Sequence, residues 1–302
     1  MQKVPVRNKS RAIDELSNAV MAINPVDMEI SFQKPPSFHL SFSDVSQPMG
    51  PSGRFKTLRI ASNPSIPKKI DSIVGENLAV RQSLPELLEH GFNSYYLQKL
   101  LSAGILGKKD EKKMVPTRWS ITASDRMVAD HFLQEVRHYD SIPEISLYSS
   151  EYLDNHFEIL VLPGAWEFEQ FESWAPRSTW NHFGETTSIS HEYEPYGGRS
   201  DYAKSEGGGY YAGRLGAAEA LFNMHKQGRV VIFREIGEGY TVPVGVWEVR
   251  ENARNAFNSG PVARFSSIKE ALSFVKPRLR QPLSAYLSKS RILSQSRLTS
   301  FF

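Results

Sequence analysis

The chain reads as an α+β protein, with mixed helices and mostly antiparallel strands in one large globular body and a flexible C-terminal tail. Three observations lead there. Segments with apolar residues at helical spacing alternate with short apolar runs at strand spacing. The alternation lacks the regular strand–helix–strand spacing of a parallel-sheet protein. Composition is that of a globular protein, 40% hydrophobic and 23% charged, with 302 residues available to bury a substantial core. The expected organisation is a proline-rich wrapping segment over 1–70, an α+β globular body over 71–285 and a basic tail over 286–302.

Residues 1–70 hold eight of the 18 prolines. The exception is residues 10–23, where Ile13, Leu16, Val20 and Ile23 share one helical face and Ser10 is placed to cap it. Residues 28–32 and 38–42 alternate like strands around the Pro35-Pro36 break. From Ser83 the pattern turns helical, with Leu84, Leu87 and Leu88 inward and Gly91 as the stop. A second short helix covers 94–103, and residues 108–113 form a charged loop. Val128, Phe132, Leu133 and Val136 predict a helix over 124–139.

Strand-like runs follow at 145–148 and 157–162, while 166–174 fits either element. Residues 175–209 read as a long loop, and loops of that length are functional or disordered. A helix over 210–227 carries Tyr211, Leu215, Ala218 and Phe222 on one side, with Gly228 closing it. Runs 229–236 and 241–249 predict a hairpin through Gly237-Glu238-Gly239. Ser267 and Glu270 form a capping box for a helix over 267–275.

Charge narrows the function classes more by distribution than by total. The formal net charge of +3 does not identify a nucleic-acid binder. Beyond Glu270, however, no acidic side chain occurs, while Lys276, Arg278, Arg280, Lys289, Arg291 and Arg297 are basic. Such a stretch is either drawn to an acidic surface or DNA phosphate, or is a solvated leash. Zero cysteines exclude disulfides, cysteine-ligated zinc, iron–sulfur clusters and a cysteine nucleophile. No apolar run approaches a membrane span, and the first residues lack the core of a secretory signal, so the expectation is a cytoplasmic protein without a membrane partner.

The last eight residues carry the sharpest motif. Gln295, then Leu298 three positions on, then Phe301 and Phe302 form the QxxLxxFF pattern of a peptide that docks on a sliding clamp. One tight helical turn gathers Leu298, Phe301 and Phe302 into an apolar plug, and the Gln295 amide fills a polar pocket beside it. The competing reading is a terminal helix folded back over the chain's own apolar groove.

A family comes into view through several longer stretches. These are Val115-Pro116-Thr117-Arg118-Trp119-Ser120-Ile121-Thr122-Ala123, Leu162-Pro163-Gly164-Ala165-Trp166-Glu167-Phe168-Glu169 and Gly209-Tyr210-Tyr211-Ala212-Gly213-Arg214-Leu215. Arg234-Glu235-Ile236, Val242-Pro243-Val244-Gly245-Val246-Trp247, Val249-Arg250-Glu251 and the terminal Arg297-Leu298-Thr299-Ser300-Phe301-Phe302 extend them. On these residues the chain resembles the archaeal Nre family of DNA repair proteins over nearly its whole length. The resemblance implies DNA damage repair, with the clamp PCNA bound through Gln295, Leu298, Phe301 and Phe302. Members of the family commonly carry a cysteine-bearing segment that looks like a zinc finger, and this chain has no cysteine to match it. The resemblance brings no catalytic residue with it.

Other constellations carry two readings each. Arg118 with Trp119, just before the predicted helix over 124–139, suits phosphate pairing and base stacking; the alternative is a structural brace with the indole in the core. The five tryptophans Trp119, Trp166, Trp174, Trp180 and Trp247 are base platforms or an aromatic core, with Trp174 and Trp180 the best placed for exposure. Gly197-Gly198 before Arg199, and Gly207-Gly208-Gly209 before the helix bearing Arg214, form a DNA-phosphate cradle or a hinge. Arg234 and Glu235, adjacent on a buried strand, face opposite ways, each needing its own partner.

Between 163 and 206, eight carboxylates face three cations. Glu167, Glu169 and Glu192 are candidate catalytic carboxylates, and His182 and His191 are candidate metal ligands. Mg²⁺ or Mn²⁺ held there would activate water in a nuclease or other phosphate-ester hydrolase. A solvated acidic loop is the competing reading. The functions open to the chain are therefore a clamp-tethered repair factor, such a hydrolase, or a non-catalytic adaptor between the clamp and another repair protein.

Overall fold

A computed structural model describes residues 4–5, 11–37, 53–241 and 244–294. The chain forms two compact units, the first Met1–Ser43 with Pro48–Val128, the second Asp44–Gln47 with Ala129–Phe302. The expected strand over 38–42 lies outside the described residues.

In the first unit, β1 (Val4–Pro5), α1 (Arg11–Met21), β2 (Met28–Phe32), β3 (Phe55–Ile60), α2 (Lys68–Gly75), α3 (Val80–Glu89), α4 (Ser94–Ser102) and β4 (Lys113–Met114) precede the start of α5 (Thr117–Val136). β2 pairs antiparallel with β3, and β1 with β4. Ile70, Ile73, Leu84, Leu87, Leu97 and Leu100 are buried at helical spacing, and the Tyr96 hydroxyl donates to the Met21 carbonyl. Ser83 sits inside α3 instead of capping it, its hydroxyl bonding back to Ala79 O at 3.4 Å. α5 begins at Thr117, so Arg118 and Trp119 belong to its first turn and do not precede it. The Ser120 and Thr122 hydroxyls donate to the carbonyls of Thr117 and Arg118 within the helix.

The second unit is built on one six-stranded sheet. Its elements after α5 are β5 (Ile145–Tyr152), β6 (Asn155–Leu162), β7 (Glu167–Trp174), β8 (Ser188–Glu194), α6 (Gly208–Met224), β9 (Arg229–Ile236), α7 (Trp247–Asn258), β10 (Ala263–Phe265), α8 (Ile268–Val275) and α9 (Leu283–Leu287). The strand order is β10-β5-β6-β9-β7-β8, with every neighbouring pair antiparallel except β7 with β9. The α+β class with mostly antiparallel strands is therefore what the chain adopts.

Period-two alternation sends side chains to two covered faces. On one face, Leu147, Leu160, Leu162, Phe171, Val231 and Phe233 pack with Ala271, Val275, Leu279, Tyr286 and Ile292 from α8, α9 and the segment beyond. On the other lie Phe157, Phe168, Gln170, Glu172 and Arg234, under α6 and α7. The second face is unusually polar for a buried layer, and each charge on it needs a partner.

Several expectations change. Among the described residues of 241–249 there is no strand; Trp247 opens α7, while β9 pairs with β6 and β7. The inward face of α7 carries Glu248, Arg250 and Asn252 beside Val249, Ala253 and Phe257, so its apolar period is broken by buried polar groups. The long loop over 175–209 contains β8, whose Glu192 and Glu194 are buried through ion pairs, which hides the strand from a hydrophobic pattern. The stretch 166–174 resolves as strand β7. The basic run after Glu270 is not a solvated leash as far as residue 294. Arg278 and Arg280 pair with Glu158, Glu151 and Asp154, and Tyr286 is fully buried, so the chain is folded well past 286.

Candidate functional site

The site begins with β7. Its alternating side chains put Glu167, Glu169 and Phe171 on the face covered by the C-terminal segment, and Phe168, Gln170, Glu172 and Trp174 on the face under α6. Beside it on β9, Arg234 donates to Glu172 at 2.8 Å, to Glu248 of α7 at 3.2 Å and to Asn155 Oδ1 at 2.7 and 3.1 Å. Its neighbour Glu235 points the other way and accepts from the Tyr286 hydroxyl and the backbone N–H groups of Arg280 and Gln281. Each member of the pair thus has its own partners, as alternation demands.

The glycines before and within α6 bring that helix onto β7. A Cβ on Gly209 would lie 2.2 Å from Glu172 Oε1, and one on Gly213 would lie 2.0 Å from Gln170 Oε1. A side chain at either position would have to displace the Glu172 carboxylate or the Gln170 amide. Gly207 takes φ +56° to start the helix. The close approach sets the amino end of α6 beside the tips of β7 and β9.

A cleft of about 370 Å³ opens there, lined by Glu172, Trp174, Trp180, Glu206, Arg234 and Tyr240 together with Gly208, Gly209 and Gly245. Trp174 and Trp180 meet edge to face, 6.5 Å apart and inclined by 84°. Trp180 is 58% exposed, and the Arg234 guanidinium lies 5.3 Å from the Trp174 ring centre. Glu206 is 8% exposed, and neither of its carboxyl oxygens has a partner at hydrogen-bonding geometry, Gln170 acting on it only through a longer contact. Burial, reinforced by the charges of Glu172 and Glu192, pushes its carboxyl well above the usual carboxylate range, against the weaker pull of Arg234 and Gln170. Burial raises Glu248 as well, outweighing Arg234. The cleft therefore holds a carboxyl whose surroundings favour its neutral form, beside an aromatic corner and a guanidinium bonded to protein partners.

Arg199 and Arg214 both reach the Tyr210–Glu194 pair, with Arg214 Nη1 buried and without a hydrogen-bond partner. Arg214 is 4% exposed and fixed by Glu194 at 2.7 and 2.9 Å and by Asp130 at 2.8 Å. Arg199 pairs with Glu192 at 2.5 Å and lies 5.0 Å over the Tyr210 ring. Glu194 also accepts from Tyr210 and the Trp166 indole. Burial alone would raise Glu194, yet Arg214, Tyr210 and Trp166 outweigh it and hold the carboxyl below its usual range. Both cations brace β8 against α6. Arg118 and Trp119 lie exposed on α5 in the first unit, and Trp119, at 40% exposed, is not the core residue the alternative required.

The acidic candidates do not converge. Glu167 accepts from the Tyr193 hydroxyl at 2.6 Å, and burial with that contact pushes Tyr193 up to about 12. Glu169 is held by His191, Ser290 and the Arg291 backbone N–H. Glu192 lies on the opposite face with Arg199 and the Ser205 backbone N–H. His182 is exposed beside Phe183. Among the described residues, no group of three or more His, Asp or Glu side chains is placed to hold a metal ion, so this set does not fit Mg²⁺ or Mn²⁺. No helix among them is long and apolar enough to cross a membrane. Gln295, Leu298, Phe301 and Phe302 lie outside the described residues.

Sequence reasoning singled out Trp174 and Trp180 but missed Glu206, Gln170 and Glu172 as their companions. Their signal was faint: a glutamate directly before three glycines, and a strand in which polar residues outnumber apolar ones on both faces taken together.

Comparison with known proteins completes the description. Residues 1–181 match the family profile Archaeal Nre, N-terminal, and residues 194–301 match Archaeal Nre, C-terminal. The chain is 36% identical over 299 residues to a protein of Archaeoglobus fulgidus named DNA repair protein NreA, covering 98% of this chain and 74% of that one. It is 33% identical to DNA repair protein NreB of the same organism, over 96% of this chain and 73% of that protein. With DNA repair protein NreA of Haloferax volcanii the identity is 34%, over 89% and 65% of the respective chains. No solved structure matches the chain. With both profiles matched in order and relatives aligned along nearly all of its length, the chain belongs to the archaeal Nre family.

Proposed function

We propose that the chain is a DNA damage repair factor tethered to the sliding clamp PCNA through its C-terminal peptide, working in the cytoplasm at DNA. The observation that carries the reading is the set of relatives named for DNA repair, aligned over nearly all of this chain. The tether rests on Gln295, Leu298, Phe301 and Phe302, a polar anchor and an apolar plug at the spacing of one helical turn. Tethering raises the local concentration of the folded body at DNA without tight intrinsic binding. Arg118 and Trp119 then offer a cation and a ring to the nucleic acid from an exposed helix end.

Calorimetric titration of PCNA with the full chain tests the tether. Phe301→Ala with Phe302→Ala abolishes binding and leaves the thermal melt unchanged. An affinity equal to that of the unaltered chain removes the tether.

A further inference from the structure

We propose that the cleft at the amino end of α6 receives one unstacked nucleobase, its ring against Trp174 and Trp180 and its hydrogen-bonding edge on the Glu206 carboxyl. Two independent observations meet there. The first is the aromatic corner, whose outer ring, Trp180, is 58% exposed although tryptophan is usually well buried. A planar ring stacks on one face of the corner and meets the other edge-on. The second is Glu206, 8% exposed with both carboxyl oxygens unpartnered. Buried polar atoms are almost always hydrogen-bonded, and an orphaned carboxyl lining a cleft calls for a ligand group.

Charge selects the kind of ligand. Arg234, the cation in the cleft wall, is bonded to Asn155, Glu172 and Glu248, so two carboxylates already face its charge. The Glu172 carboxylate on the same wall repels a phosphate. A neutral planar heterocycle fits, and about 370 Å³ is near the lower end of small-molecule pockets, roughly 300–1,000 Å³. A protonated carboxyl offers a donor and an acceptor side by side, which matches the paired donor and acceptor on a base's Watson–Crick edge. The choice of a nucleobase among such heterocycles rests on the DNA-repair reading. The base comes either from a free nucleoside or from an unstacked position in a strand.

Equilibrium dialysis of the full chain against deoxyadenosine, purine deoxyriboside and a short oligodeoxyadenylate tests the inference. Deoxyadenosine is retained. Purine deoxyriboside, which lacks the amino donor, binds more weakly. Trp180→Ala, at an exposed position, weakens deoxyadenosine by about tenfold. Glu206→Gln keeps a donor and an acceptor and retains binding, whereas Glu206→Leu loses it. Tighter binding of the oligomer assigns the site to a base within a strand, and equal binding assigns it to the free nucleoside; both support the pocket. No retention of nucleoside or oligomer, or affinities unchanged in Trp180→Ala and Glu206→Leu alike, overturns it. Clamp titration of the same preparation separates the two proposals: clamp binding without base binding removes this one alone.

Discussion

Arg234 Nη1 donates to Glu172 Oε1 at 2.8 Å, joining the parallel pair β9 and β7 inside the polar face of the sheet. The same guanidinium reaches Glu248 and Asn155, so one side chain ties β9 to β6, β7 and α7. Arg234→Met leaves Glu172 and Glu248 buried without their cation, a loss of about 3–5 kcal/mol for breaking a buried pair. Arg234→Lys keeps the charge but not the planar fork that spans Asn155 and the carboxylates, and it falls between the two. Urea denaturation of the three proteins is expected to order the midpoints as Arg, Lys, Met.

Helix α6 packs on α7 through Gly216, where an added Cβ would stand 2.8 Å from the Cβ of Ala253. Neither atom can rotate away, so Gly216→Ala forces the two helices apart. Overpacking of this kind costs about 1–3 kcal/mol. Gly75, in the last turn of α2, has nothing within 4 Å of the same position. Gly75→Ala therefore gains helix propensity, up to about 1 kcal/mol. Opposite shifts of the thermal midpoint for the two substitutions are the expected result.

The elements legible in the sequence were those stabilised by apolar contact or by caps. Val230, Val231, Ile232 and Phe233 announce β9, and Ser267 caps α8 by accepting from the Glu270 N–H as its box predicts. The reciprocal arm differs, with Glu270 bonding Ser266 and not Ser267. What escaped were elements whose inward faces are charged. Helix α7 buries Glu248, Arg250 and Asn252, and β8 buries Glu192 and Glu194, so polarity marks their interior sides. A hydrophobic period cannot reveal a face whose burial depends on partners far along the chain, such as Arg234 for Glu248. The cleft was half legible for the same reason: Trp174 and Trp180 stand out by type, whereas Glu206 becomes distinctive only once its surroundings are dry.

His156 and Glu158, on the same face of β6, make stability depend on pH. His156 Nε2 lies 3.0 Å from Glu158 and Nδ1 lies 3.4 Å from Glu151, while Arg278 pairs with Glu158 at 2.8 Å. Burial alone would lower the imidazole, but Glu158, with Glu235 and Glu151, outweighs it and raises the folded value above the ordinary one. A raised histidine stabilises fully below its unfolded value of about 6.5, and the gain is lost as pH rises through the folded value. Glu158 behaves oppositely. Burial would raise it, yet His156, Arg278 and Ser149 depress it, so its contribution is lost as acid carries pH down through the folded value. His156→Gln is expected to cost more stability at pH 6 than at pH 8.5 in paired urea titrations; equal losses would contradict the charge pairing.

The C-terminal segment closes the apolar face of the sheet. Tyr286 is fully buried against Phe171 and Phe233, and its hydroxyl donates to Glu235 at 2.6 Å. Burial and the Glu235 charge push the phenol well above its ordinary range, which favours its protonated, donating form. Tyr286→Phe removes one bond to a charged acceptor and costs about 1.5–3 kcal/mol. Tyr286→Ala also empties the ring's volume and costs about 3–5 kcal/mol. Gln295 follows directly on Ser294, the last described residue, so the proposed clamp peptide starts where this closure ends. If the peptide acts as a tether, the two properties separate by position. Tyr286→Phe lowers the melting temperature without changing PCNA affinity, and the double phenylalanine substitution does the reverse. A single variant that moved both together would mean that clamp binding reads the folded face, not the peptide alone.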